Sequence, residues 1–241
     1  MTDNFTTPSF GAAAGLSRAT FDAGLRAHMM RVYNYMTSGL ALTGLLAWAT
    51  ANVPALYNAI FGTPLAFLVM LAPLGFVFFL SMRFSTMSLG TLQTTFYAFC
   101  ATMGLSMATI FVHFAGTDIA RTFFITAATF GGMSLWGYTT RRNLAGMGHF
   151  MIMGVWGLMI ASLVNMFMHS TGLQFAISIV GVVAFTGLTA WDTQRIKEMY
   201  AEGYGAENNN KLAVMGALSL YLDFINLFQF ILSLTSNSDR R

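Results

Sequence analysis

Asp223 lies in the stretch GALSLYLDFINLFQFIL (Gly216–Leu232), about 11 residues, or some 16 Å of helix, inside an apolar run. A charged aspartate at the centre of a membrane helix costs about 2.5–3.5 kcal/mol on insertion scales. An acid at that depth points to ion or proton handling, or else to a buried hydrogen bond that serves only helix packing. Gly216, Ser219, Asp223, Asn226, Phe230 and Ser233 recur at spacings of three and four. They share one small, polar helix face that belongs inside a bundle rather than against lipid.

The second acid is Asp192, in TAWDTQRIKEMY (Thr189–Tyr200), where the preceding apolar run ends. Taken alone it reads as an interfacial residue beside Arg195. Consecutive helices pack as an antiparallel hairpin, however, and a hairpin turns the two acids toward each other. With the earlier helix ending near residue 191, Asp192 is expected about 10–15 Å shallower than Asp223. Tilt or a water-filled vestibule would have to close that gap. Two carboxylates brought together in a low-dielectric site repel, share a proton and change protonation near physiological pH. Deprotonated, Asp192 and Asp223 with the side-chain carbonyl of Asn226 offer oxygen ligands to a hard cation such as calcium. So few oxygens make a weak site, which suits a conduction path from which the ion must leave.

Competing chemistry is thinly supported. Two aspartates on adjacent spans are also the layout of an intramembrane aspartyl-type hydrolase. Yet Asp223 sits between Leu222 and Phe224, with no glycine-rich approach for a substrate backbone. His28, His113, His149 and His169 lack metal-ligand spacing and read as loop or interface residues. The lone Cys100 excludes a disulfide framework and a cysteine metal site. The expectation is a non-enzyme without a resident cofactor, weakly bound calcium aside.

These residues need a membrane to position them. Of 241 residues, 56% are hydrophobic and 9% charged, and the mean hydropathy is +0.62. Soluble domains carry about 25% charged residues, so lipid must be the solvent here. The net charge of +3 is too small an excess to indicate a nucleic-acid partner. A bilayer core of about 30 Å needs roughly 20 apolar residues per helix. Windows of that length fall at 32–51, 64–81, 88–112, 119–138, 147–168, 173–191 and 212–234, an all-α membrane protein of seven transmembrane helices. The longest connection, Asp192–Lys211, carries most of the charge. Residues 1–30 are expected to form a flexible cytoplasmic tail, 31–235 the membrane domain and 236–241 a short C-terminal tail.

Nine basic residues (Arg18, Arg26, Arg31, Arg83, Arg141, Arg142, Arg195, Lys197, Lys211) fall on one side of this topology. Three (Arg121, Arg240, Arg241) fall on the other. The positive-inside rule then predicts a cytoplasmic N-terminus and an external C-terminus. Span interiors rich in small residues, such as Gly131, Gly132, Ser134 and Gly137, predict close helix packing.

Four segments carry a resemblance to a known family: VYNYMTSGLALTG (32–44), FGGMSLWGYTTRRNLAGMGHF (Phe130–Phe150), TAWDTQRIK (189–197) and LSLYLDFINLF (218–228). In this order they resemble the bacterial branch of the Bax inhibitor-1 family across nearly all of residues 30–235. Trp191 stands where members often have Tyr, and Asn143 where they often have Asp, which weakens a cation role for the 139–146 loop. The resemblance implies a bacterial inner-membrane bundle of seven helices with the last one surrounded by the others. It also implies a pH-sensitive calcium leak sensed by two aspartates, which match Asp192 and Asp223. An arginine near the second helix, here Arg83, would pair with the acids in a closed state. The resemblance also links some bacterial relatives to a membrane-anchored ATP-dependent protease, and members elsewhere to suppression of cell death. A regulatory role without transport, docking such a partner through residues 1–30, is therefore the alternative.

Overall fold

The structure is a computed structural model that describes residues 10–201 and 205–238, with side chains described for 20–201 and 205–236. The described residues form eight helices and no strand. These are α1 (Phe10–Asn52), α2 (Pro54–Phe61), α3 (Leu65–Arg83), α4 (Leu89–His113), α5 (Gly116–Thr139), α6 (Ala145–Met168), α7 (Thr171–Met199) and α8 (Gly205–Ser238). Several boundaries follow from local chemistry. Pro54 at the first position of α2 ends α1, and the chain turns by 98° there. The Ser88 and Ser170 hydroxyls cap α4 and α7 by accepting from the Thr91 and Leu173 amides.

Helices α3, α4, α6, α7 and α8 are each long and apolar enough to cross a bilayer, and α1 with α2 qualifies as a bent pair. Helix α5 falls short, because Asp118, Arg121 and a run of threonines lower its hydropathy. Thr126, Thr129 and Thr139 nonetheless return their hydroxyls to carbonyls of their own helix. The outer surface is apolar: Phe67, Phe78, Met82, Phe124 and Phe167 are all exposed. In water such a surface would aggregate; in lipid it is the required one. This is an integral membrane protein.

Helix α8 packs against α1, α4, α5 and α7. In its apolar window 61% of residues are buried, against 6% in α6. Small residues set the closest contacts. Gly137 of α5 rests on the Ala190 backbone of α7, and Gly104 of α4 on the Thr43 backbone of α1, where a Cβ would collide with a carbonyl oxygen. Thr43 then donates to the Cys100 carbonyl (2.8 Å) and shares a hydrogen bond with the fully buried Tyr221 hydroxyl (2.7 Å), tying α1, α4 and α8 together.

Two expected boundaries are corrected. Helix α1 begins at Phe10, so much of the expected flexible tail is helical, and Leu25, His28 and Met29 are buried against the core. The residues before the span extend the helix because Phe21 and His28 pack on Tyr200 at the end of α7 and Arg31 bonds Asn210 of α8. Residues 1–9 and 239–241 lie outside the described residues. Likewise α7 continues to Met199 and α8 starts at Gly205, so the expected long loop from Asp192 to Lys211 is mostly helix. Its charges sit on helix ends, as in the Lys211–Glu207 ion pair at 3.0 Å.

His113, His149 and His169 occupy helix ends, but His28 does not. It is 1% exposed within α1, beside the Tyr200 ring and the Asn209 backbone, and among the described residues neither ring nitrogen has a hydrogen-bond partner of good geometry. A buried unsatisfied polar group costs about 1–3 kcal/mol. His28→Phe should therefore raise the thermal midpoint of the detergent-solubilised protein. An unchanged or lower midpoint would mean that the ring is satisfied there.

Candidate functional site

The register of α7 against α8 decides whether the acids meet. Ile196 lies over Gly216, Gly181 beneath the Phe230 ring, and Ser178 hydrogen-bonds Ser233 at 2.9 Å. In an antiparallel pair these three contacts define one register, and in it Asp192 faces Ser219 and Leu220. Asp223 is then less than one turn, about 5.4 Å, from the level of Asp192. The expected offset of 10–15 Å is thus corrected, and the cause is the extension of α7 past Asp192. The two carboxyls come within hydrogen-bonding reach of each other. A hydrogen bond between two carboxyls requires a proton held between them.

Burial makes this contact consequential. Asp223 is 4% exposed and Asp192 8%. Asp223 Oδ2 is buried with no N–H or O–H donor of the described protein facing it. Two negative charges in such a place repel strongly and are poorly solvated. Between the pair and solvent stands Arg195, one turn beyond Asp192, with its Nη1 3.9 Å from Asp192 Oδ1 and its side chain half exposed. The guanidinium also lies over the Trp191 ring, 5.5 Å from its centroid.

A chain of hydroxyls flanks the acids. The Tyr33 hydroxyl bonds Ser134 Oγ at 2.6 Å, and Ser134 bonds Thr193 Oγ1 at 2.9 Å, linking α1, α5 and α7 next to Asp192. Thr193 donates in turn to the Thr189 carbonyl. Below them, Gln194 accepts from the Leu144 amide and donates to the Arg142 carbonyl, both at 2.8 Å, while Lys197 donates to the Tyr138 carbonyl. The Gln194 bonds clamp the 139–146 loop onto α7, and the Lys197 bond ties the end of α5 to it. Asn143 uses its carbonyl oxygen to accept from the Ala145 amide.

The structure divides the remaining candidates. Ser219 is half-buried on the α7 side of α8, level with Asp192. Asn226 turns elsewhere. Its amide nitrogen donates to the Leu222 carbonyl of its own helix, and it lines a cavity of about 590 Å³ between α3, α4 and α8. Ser106, Gln229, Ser233 and Ser236 line the same cavity. Arg83 is exposed at the end of α3, a helix packed on α4 and α2, and among the described residues it forms no ion pair with either acid. The cation beside the pair is Arg195, whose spacing of three from Asp192 was the available sequence signal. The Tyr33–Ser134–Thr193 chain had none, because its members lie on three different helices.

Two substitutions separate the arginines. If flux through the protein follows protonation of the pair, Arg195→Gln should move its pH midpoint, because the only cation against Asp192 among the described residues is gone. Arg83→Ala should leave the midpoint in place. The reverse pattern in vesicle flux assays would return the role to Arg83.

The family model described as "Inhibitor of apoptosis-promoting Bax1" matches residues 25–240. A Rickettsia prowazekii protein is 47% identical over 218 residues, covering 90% of this chain and 92% of the relative. A Caulobacter vibrioides protein is 42% identical over 222 residues, covering 88% and 89%. The inner membrane protein YbhL of Escherichia coli K12 is 42% identical over 219 residues, covering 89% and 93%.

Proposed function

This chain belongs to the Bax inhibitor-1 family, and from that premise we propose that it is a pH-sensitive leak for calcium or other cations, gated by Asp192 and Asp223. The observation that carries the reading is the juxtaposition of two buried carboxyls on adjacent helices, with Arg195 between them and solvent. A proton held between the carboxyls, together with the guanidinium, balances the charge and leaves little to attract a cation. Loss of that proton leaves two close negative charges, which repel and draw in a cation to relieve the repulsion. Calcium fits because it is hard and divalent and takes carboxylate oxygens. Two carboxylates are too few for a tight cage, so a bound ion can depart. The polar cavity at Asn226 and Gln229 offers a continuation of the path along α8.

In this reading α1 and α3–α8 form seven spans around α8 in the bacterial inner membrane. The N-terminus is cytoplasmic and the C-terminus external, the orientation that the distribution of Arg and Lys favours.

The test is calcium entry into dye-loaded vesicles containing the purified protein, measured from about pH 5 to pH 8. A flux that changes with pH supports the reading; flux equal to that of empty vesicles at every pH overturns it. A second reading, a regulator of a membrane-anchored ATP-dependent protease, draws on Phe21 and Met30, exposed on α1 beyond the apolar span. Loss of partner regulation on truncating α1 before residue 31, with ion flux intact, would favour it.

A further inference from the structure

Helices α1 and α5 both pack on α8, yet no comparable interface joins them to each other. Between them lie three cavities placed end to end. The first, about 630 Å³, runs from Arg26 and Tyr138 to Met36 and Phe130. The second, about 650 Å³, shares Met36 and Phe130 and continues past Leu40 and Gly44 to Trp48. The third, about 380 Å³, shares Leu40, Gly44 and Phe123 and reaches Gly116. The Tyr33–Ser134 hydrogen bond lies in the first and Phe224 of α8 lines the other two. At Gly44 and Gly131 an added Cβ would meet nothing within 4 Å, so glycine keeps the trough open rather than packing a helix.

The walls are aliphatic and aromatic, and the charge is confined to the mouth. Arg26 lines the first cavity. Arg141 and Arg142 are exposed just past the end of α5, and Lys197 is held on the Tyr138 carbonyl. Asp22, one turn before Arg26, offsets one of these charges and leaves the mouth positive. From Arg26 to Met36 the trough covers ten residues of α1, about 15 Å at 1.5 Å per residue. The apolar span begins near residue 32, so one leaflet, about 15 Å of a core of about 30 Å, runs from there to Leu40 and Gly44 in the second cavity.

We propose that the α1–α5 trough is a binding site for one anionic phospholipid of the leaflet at the Arg26 end. Its phosphate sits among Arg26, Arg141 and Arg142, and an acyl chain lies along Met30, Met36 and Leu135 toward Phe224. Charge complementarity selects the headgroup, and trough length selects a single-leaflet chain. This goes beyond the leak reading and stands without it. Phe224 follows Asp223, and Ser134 bonds Thr193 next to Asp192, so an occupied trough would touch the residues that flank the acids.

The full-length protein, reconstituted in equal phosphatidylglycerol and phosphatidylcholine and then re-extracted in mild detergent, tests this by native mass spectrometry. The parent should retain phosphatidylglycerol in preference to phosphatidylcholine. Arg26→Gln should weaken that preference about fivefold, the contribution of one basic residue at an anionic surface. Gly44→Leu with Gly131→Leu should cut retained lipid about tenfold. Equal retention of both lipids by the parent, or undiminished retention by a folded double variant, overturns the proposal. Should the double variant not fold, phosphatidylglycerol with a photoreactive acyl chain reports on the parent. Labelling of peptides containing Met30, Met36 and Leu135 supports the site, and labelling confined to α3 or α6 overturns it. Occupation by a second copy would appear as a dimer that the double variant abolishes, and also overturns it.

Discussion

Asp223→Asn should remove most of the pH dependence of cation flux, leaving less than about a twofold change between pH 5 and pH 8. Asp192→Asn should do the same, because a shared proton belongs to the pair and disappears with either member. The two variants should differ in stability. Asp223 is the more deeply buried and its Oδ2 faces no donor of the described protein, so an amide there relieves the repulsion within the pair and gives up no such hydrogen bond. Asp192 retains Arg195, and its replacement leaves that cation partly unpaired beside a still-acidic Asp223. The thermal midpoint should therefore rise in Asp223→Asn relative to Asp192→Asn, when both are measured near neutral pH. The double variant should resemble the single ones in flux rather than add to them, since coupled groups behave as a unit. If both single variants conduct like the parent across the whole pH range, the acids are packing elements and the leak mechanism falls.

The second large effect concerns the frame that holds the pair. Gly137→Val should destabilise the protein by about 3 kcal/mol, the upper end of ordinary overpacking. Its Cβ would fall on the Ala190 carbonyl, which is backbone within α7 and cannot rotate away. Relief requires α5 to move off α7, which also breaks the Ser134–Thr193 hydrogen bond beside Asp192. Gly132→Val on the same helix is the control, because its Cβ would meet nothing within 4 Å. Thermal unfolding in detergent should separate the two variants clearly. Equal midpoints would mean that α5 and α7 slide without cost and that the hydroxyl chain is not held by close packing.

Both predictions depend on information distributed unevenly between chain and fold. The membrane class was legible without coordinates, since a chain that is 9% charged cannot cover itself in water. Each of the seven apolar windows falls, to within a residue, inside one long helix, although α5 is less apolar than the five or six helices that qualify as spans. Asp223 stood out likewise: one acid in a long apolar stretch is a local anomaly. The polar stripe was legible too, since spacing of three and four is a property of one helix. Gly216, Phe230 and Ser233 of that stripe do face α7.

What only the tertiary structure decided was everything that depends on two helices at once. The length of α7 past Asp192 rests on Gln194 bonding the Leu144 amide and Arg142 carbonyl of the 139–146 loop and on Lys197 bonding the Tyr138 carbonyl at the end of α5, which continue the helix where hydropathy alone would end it. That extension sets the α7–α8 register and so brings Asp192 level with Asp223. Asn226, on the predicted face, is turned toward α3 and α4 because neighbours at three-residue spacing differ by about 60° around a helix, enough to meet a different partner. Arg195 rather than Arg83 lies against the pair, since α3 is packed away from α7. Periodicity within one helix is written in consecutive residues, whereas the contact between two helices is chosen by the packing of the whole bundle. Asp223 and Asp192 could accordingly both be singled out from the chain, but the register that brings them level could not.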